Sequence, residues 1–333
     1  VIDRIDRQVI HALQCSPRAP FSVVAQVVGV SEQTVGRRYR KLRENGVIRV
    51  IGRTPAVDGG SRAFFARIRC LPSRIVSVAE SIARYPEAQF VHLSAGGAEI
   101  VCLIHSPASG SGNDLLLERL PRATAVLDVS VHLAFHRYGT PGASDDWTGF
   151  PDGLDEEQRS ALEATRRPRT GAVIFPGPED APLLAALAED GRAGYATLAA
   201  ATGWSQDRVV HRIGVLERAG TLVFDVDVLP EQLGFTTQAV LWLSVTPAYI
   251  DELGTALAAD PQVVFTAATT GRHNVVAVLV CRDDHDLYRH LTTTIAALPG
   301  VAGYEISLTT RKLKQAASLV VAGALRTSGP VKP

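Results

Sequence analysis

The strongest constraint on this sequence is that it repeats itself. Displaced by 174 positions, Phe21-Ser-Val-Val-Ala-Gln-Val-Val-Gly-Val-Ser31 lies over Tyr195-Ala-Thr-Leu-Ala-Ala-Ala-Thr-Gly-Trp-Ser205. In the same register Leu13, Arg18, Arg38, Leu42 and Gly46 fall on Leu187, Arg192, Arg212, Leu216 and Gly220. A displacement of 175 pairs Pro72, Pro86, Phe90 and Gly96 with Pro247, Pro261, Phe265 and Gly271. Solenoid repeats run about 20–50 residues, so a period this long describes a duplicated unit of two small domains.

Each unit opens with three short helical segments. Ile5, Val9, Ala12 and Leu13 recur at helical spacing, and Pro17 with Pro20 ends that helix. Ser22 to Val28 forms a second helix that stops at Gly29. Ser31 is placed to cap a third, Glu32 to Asn45, with Gly46 in the left-handed position past its end. A short helix, a tight turn with Gly and a longer helix make a helix-turn-helix, and the strand Val47 to Ile51 makes it winged. The second unit matches it with helices over 181–189, 197–202 and 206–219 and a strand over 222–226.

A different rhythm follows each winged module. Strand, helix, strand, strand, helix, strand is expected over 63–70, 73–85, 90–94, 99–105, 115–120 and 126–135, and again over 237–245, 248–259, 263–268, 274–281, 287–298 and 303–309. This β-α-β-β-α-β order is a ferredoxin-like plait, whose open sheet face needs a partner to bury it. The expected fold is α+β: winged helix-turn-helix domains over 1–55 and 179–230, and plaits over 62–138 and 235–315. A linker over 139–178, rich in Gly, Pro, Asp and Arg, and a tail over 316–333 complete it.

Lys+Arg and Asp+Glu both number 34, so a chain basic throughout is excluded while a local basic patch is not. Such a patch exists. From Ser31 to Arg53 seven basic residues stand against two acidic ones, a local net of +5 on one helix and its wing. That is the footprint of a phosphate-binding surface. Residues early in such a helix reach base edges, which selects Gln33, Thr34 and Arg37 behind the Ser31 cap. Arg38, Arg40, Lys41, Arg49 and Arg53 are expected to hold the DNA backbone. The second module keeps Arg208, His211 and Arg212 but has Gly214, Val215 and Glu217 where the first has Arg40, Lys41 and Arg43. From 205 to 224 its net is only +1, so weak DNA binding is expected of it.

The turn between the two central strands of each plait is the second candidate site. It reads Ser94-Ala-Gly-Gly-Ala-Glu99 in one copy and Thr269-Thr-Gly-Arg-His-Asn274 in the other. Gly96, Gly97, Glu99, Thr270, Gly271, Arg272, His273 and Asn274 are the candidates, and the second set offers donors suited to a small carboxylate. The four cysteines lie far apart without a C-x-x-C pair. His132 and His136 share a strand face at about 13 Å, too far for one metal. Asp283 to Asp286 is a helix-capping run. No phosphate loop, G-x-S-x-G or H-E-x-x-H is present, so no cofactor, metal or catalytic residue is expected, and a non-enzyme is the reading. No apolar run approaches the ~18 residues of a membrane helix, and a cytoplasmic protein without membrane contact is expected.

The order of elements resembles the leucine-responsive/asparagine regulator (Lrp/AsnC) family. The likeness rests on Ile2 to Leu13, Val30-Ser31, Arg37-Arg38 and Leu42-Arg-Glu-Asn-Gly46. In the second half it rests on Leu187 to Arg192, Gly203-Trp-Ser205, Leu241-Trp-Leu-Ser-Val245 and Leu298-Pro-Gly-Val301. The resemblance implies a transcriptional regulator with double-stranded DNA as partner and a small-molecule effector, an amino acid, near the central turns of the plaits. It also implies a homodimer or higher homo-oligomer. The family's Gly-Asp-x-Asp turn is replaced here by Gly96-Gly-Ala-Glu99 and Gly271-Arg-His-Asn274. Two rival readings are a tetrapyrrole decarboxylase-like enzyme, which has a similar fold, and a ligand-binding module without DNA.

Overall fold

The computed structural model describes residues 2–54, 61–107, 115, 119–120, 123–139, 149, 151–170 and 174–327. In chain order the elements are α1 (Arg4–Cys15), α2 (Phe21–Val28), α3 (Glu32–Glu44), β1 (Ile48–Arg53), β2 (Ser61–Cys70), α4 (Ile75–Ala83), β3 (Ala88–Ser94), β4 (Glu99–Pro107) and β5 (Val126–Arg137). There follow α5 (Glu156–Glu163), α6 (Ala181–Glu189), α7 (Tyr195–Thr202), α8 (Gln206–Arg218), β6 (Val223–Val228), β7 (Thr237–Val245), α9 (Ile250–Ala258), β8 (Val263–Thr269), β9 (Val275–Cys281), α10 (Asp284–Thr293), β10 (Val301–Lys312), β11 (Lys314–Gln315), β12 (Ser318–Val321) and β13 (Ala324–Arg326). Nearly every expected element forms within a few residues of its expected bounds. The helix expected over 115–120 lies largely outside the described residues, although Leu115 and Leu120 are buried. So does the tail end, 329–333.

The chain divides into two compact units, and the division does not follow the order of the sequence. The first unit holds α1–α3 with β1, α6–α8 with β6, the α5 segment, and 322–327. Asp3 and Asp6 cap the first turn of α1 reciprocally, and Ser31 accepts from the Thr34 backbone N–H at the start of α3. Val35, Tyr39 and Leu42 recur along one face of α3 and are buried, as the helical period requires. Val209, Ile213 and Leu216 do the same for α8, packing with Leu183, Leu187 and Leu198. The wings meet: β1 and β6 pair antiparallel over their whole length, from Ile48 opposite Val228 to Arg53 opposite Val223.

Two arginines bind these modules to each other. Arg18 donates to the carbonyls of Gly191 and Ala193, and Arg192 to those of Pro17 and Ala19. Their guanidinium groups lie over aromatic rings, Arg18 above Tyr195 and Phe224, Arg192 above Phe21 and Tyr39. Residues read as linker also join the unit. Leu162 of α5 is fully buried, the Leu154 N–H donates to His11 Nδ1 at 2.8 Å, and Gln158 Nε2 donates to the Val27 carbonyl at 2.8 Å. Residues read as tail contribute β13, where the Leu325 N–H donates to the Gly46 carbonyl. Gly46 has φ +66, and a Cβ there would stand 2.7 Å from that of Ala324.

The second unit is an eight-stranded closed barrel in the order β10-β3-β4-β2-β5-β8-β9-β7. Within it β5-β2-β4-β3 and β10-β7-β9-β8 are the two plait sheets, joined by the antiparallel pairs β10–β3 and β5–β8. Closure leaves no open edge and gives each sheet the covering that its alternation called for. The outward residues pack under α4 or under α9 and α10. The inward ones, Phe65, Val101, Leu103, Val240, Trp242, Ala267 and Val276, pack against one another. No helix among the described residues is long and apolar enough to cross a membrane.

Candidate nucleic-acid interface and effector site

The outer surface of α3 is narrower in charge than the sequence implied. Gln33, Arg37, Arg40 and Lys41 are exposed; Thr34 is half-buried, its hydroxyl 2.8 Å from that of the exposed Ser31. Arg38 lies three residues from the buried Val35 and turns inward, donating to Asp3 at 2.7 Å and Asp6 at 2.8 Å. These contacts hold the Arg38 guanidinium above its ordinary range and tie α3 to the first turn of α1. Arg49 is buried, bonded to the carbonyls of Glu189 and Arg326, and Arg53 is paired with Asp225. Arg38, Arg49 and Arg53 thus have carboxylate or carbonyl partners within the unit, where the sequence expected phosphate. Helical phase accounts for the first, the packing of α6 and β13 beside β1 for Arg49, and the β1–β6 pairing for Arg53, neither of the last two visible in one module read alone.

On α8, Arg208 and His211 are exposed near the N-terminal end, with the Arg208 guanidinium 4.2 Å from the centroid of Trp204. Trp204 itself is half-buried against the module's core. Arg212 repeats the arrangement of Arg38: Nε and Nη2 donate to the two oxygens of Asp180 at 2.7 and 2.5 Å. Asp180 is fully buried, and the Arg212 hydrogen bonds hold its carboxyl below the usual carboxylate range.

The central turns of the barrel separate the remaining candidates. Gly96 and Gly97 have φ +68 and +87, with nothing within 4 Å of an added Cβ. Glu99 is buried, accepting from Arg67 Nε at 2.8 Å and from the Ser307 hydroxyl at 3.2 Å. In the other turn Asn274 is committed to the backbone of Val245 in both directions, and the Thr270 hydroxyl accepts from the Leu133 N–H. Gly271 has φ +104 and stands where a Cβ would meet His132 Nδ1 at 2.6 Å. Arg272 is exposed; His273 is half-buried, and burial lowers its pKa.

Behind these turns lies a network that residue types at the turns did not reveal. Arg67 bonds both Glu99 and Glu305, with its guanidinium 5.1 Å from the centroid of Trp242. Trp242 Nε1 donates to Ser307 Oγ at 3.0 Å, and its ring lies 5.4 Å from that of His132. The Arg67 bonds hold Glu305 low. A sequence signal existed: in β2, Phe65 and Arg67 alternate onto the same face as the barrel core, an unusual register for an arginine. Closer to the β3–β10 junction, His92 Nε2, Ser94 Oγ and Thr309 Oγ1 are buried polar atoms without a hydrogen-bond partner among the described residues. Burial drives the His92 imidazole down to about 3.

Comparison with known proteins places these sites in context. Residues 2–43 match the AsnC-type helix-turn-helix domain, and residues 238–319 the Lrp/AsnC ligand binding domain. The HTH-type transcriptional regulator FL11 of Pyrococcus horikoshii is 32% identical over 119 residues, covering 34% of this chain and 78% of that protein. LrpA of Pyrococcus abyssi is 24% identical over 139 residues, 41% of this chain and 99% of that protein. Among solved structures, the siroheme decarboxylase NirDL has the same fold over 94% of this chain and 93% of its own, with a TM-score of 0.59 at 16% identity. This corrects the expectation of a non-enzyme, because the same arrangement of domains serves a decarboxylase. The polar groups inside the barrel come together from five strands only when it closes, beyond the reach of motif spacing. The two matched domains and the identity to FL11 show that the chain belongs to the Lrp/AsnC family of transcriptional regulators.

Proposed function

We propose that this chain regulates transcription by gripping double-stranded DNA through its first helix-turn-helix and that a small molecule bound at the barrel modulates the grip. The observation that carries the reading is the exposed face of α3. Gln33, Thr34 and Arg37 stand at its N-terminal half and Arg40 and Lys41 behind them, on a helix whose opposite face is anchored by Val35, Tyr39 and Leu42. The first group reads base edges and the second holds phosphates. The effector is an amino acid or similar small carboxylate met by Arg272 and His273 at the turn. The chain arose by tandem duplication of one winged module and one plait; the reciprocal Arg18 and Arg192 contacts support this, since the two arginines occupy matching positions. A cytoplasmic, homo-oligomeric protein belongs to the same reading.

A salt titration of the purified protein on its own promoter DNA, against unrelated DNA, tests it. Site-selective binding with a log–log slope of several units is expected. Binding no better than to unrelated DNA overturns the reading. Amino acids added to the same assay then identify the effector.

A second reading, tetrapyrrole decarboxylation, draws on the Arg67–Glu99–Glu305 network with His132 beside it in the barrel. A coloured tetrapyrrole retained through purification and decarboxylated on incubation supports it. Colourless protein that binds no added siroheme ends it.

A further inference from the structure

The helix α8 lacks three of the basic residues of α3, and a neighbouring segment lies along the half of the helix where they are missing. Under the 174-residue displacement Arg40, Lys41 and Arg43 of α3 correspond to Gly214, Val215 and Glu217 of α8. The chain from Arg166 to Thr170 runs along this half of the helix. The Thr170 N–H donates to the Arg218 carbonyl at 2.9 Å, fastening the segment at the helix end. Arg167 Nη1 donates to the Glu217 carboxylate at 2.6 Å and lies 3.0 Å from the point where a Cβ of residue 214 would stand. The Arg169 guanidinium lies 3.7–3.8 Å from the corresponding point on Gly220. Both Arg166 and Arg169 are exposed, and the Arg167 side chain is 34% exposed.

Resting on the proposal that this chain binds DNA, we infer that the second helix-turn-helix is a composite DNA-contacting head. Arg208 and His211 of α8 form its base-proximal end, and Arg166, Arg167 and Arg169 hold the phosphates. Three features of the sequence acquire a reason. Gly214 leaves room for Arg167, since a Cβ there would stand 3.0 Å from its Nη1, tighter than ordinary contact. Glu217 stands where α3 has Arg43 because it positions Arg167 rather than facing DNA. The segment carries three arginines beside the half of the helix that has lost the counterparts of Arg40, Lys41 and Arg43. Over 205–227, the stretch that matches 31–53, the net charge is −1, and the three arginines of the segment raise it to +2, beside +5 for the first module. The two heads of one chain differ in every side chain that would face a base, so the DNA they cover together has no two-fold sequence symmetry.

The test uses the full chain and its own promoter DNA. The double variant Arg166→Gln/Arg169→Gln leaves the Arg167–Glu217 pair intact and changes only exposed positions. Binding is expected to weaken about ten-fold at moderate salt, with the log–log salt slope falling by about two. A footprint is expected to lose protection on one flank while the flank protected by α3 stays covered. Unchanged or tighter binding with the original slope overturns the composite head and makes the segment a cover over α8. If the unsubstituted chain shows no selective DNA binding, the DNA reading itself falls and the composite head with it. Selective binding that responds to Arg37→Ala but not to the double variant removes the composite head alone.

Discussion

Arg212 grips Asp180 through Nε and Nη2 together, and the carboxylate it holds is completely buried. Thirty-two residues separate the pair, the same interval as between Asp6 and Arg38. In each module, therefore, the helix expected to face DNA is fixed by a guanidinium turned away from it. Asp180→Asn leaves Arg212 facing a neutral group and is expected to lower stability by roughly 2–4 kcal/mol. Urea denaturation measures this; a loss below about 0.5 kcal/mol shows that the pair does not anchor α8.

Arg37 and Arg38 are adjacent in sequence and opposite in role. Arg37→Ala is expected to weaken DNA binding and reduce the salt slope by about one, with stability changed by less than about 0.5 kcal/mol. Arg38→Ala is expected to lower the unfolding midpoint through loss of its bonds to Asp3 and Asp6. Parallel DNA titrations and thermal melts separate the two; equal loss of DNA affinity at unchanged stability contradicts the assignment.

Acid is expected to unfold the first unit early. Burial pushes the His11 imidazole down to about 4, so it is neutral in the folded chain, accepting the Leu154 N–H, while an unfolded histidine titrates near 6.5. Between those values the unfolded chain binds the extra proton, so stability falls as pH drops through this window, by up to roughly 3 kcal/mol. The Asp180 carboxyl, held low by Arg212, adds a loss at still lower pH for the same reason of sign. His11→Asn is expected to flatten the stability–pH curve between pH 6.5 and 4, and an unaltered curve rules out this source.

Gly271→Ala is expected to destabilise the barrel by about 1–3 kcal/mol, since φ is +104 and the new Cβ meets the His132 ring. Gly96→Ala, in the matching turn, keeps a positive φ but meets nothing within 4 Å, and is expected to lose only about 1 kcal/mol. Equal losses in urea melts mean that the His132 contact is not a constraint.

What the sequence by itself determined is local. Helical spacing located α3 and α8 with their buried faces, Ser31 marked where α3 starts, and strand alternation located both plaits. These properties depend on neighbours a few residues away, which a linear reading contains. Only the tertiary structure decided which charges remain available. Arg49 and Arg53 fit a wing against phosphate equally well until the Glu189 and Arg326 carbonyls take the first and Asp225 of β6 the second. The register of Arg67 with Phe65 is unusual for an arginine, but its partners Glu99 and Glu305 arrive only when the barrel closes, and Arg167 is an ordinary linker residue until its segment lies on Gly214. The energy of a charge is set by the groups within a few ångströms of it, and in this chain those groups lie tens to hundreds of residues away.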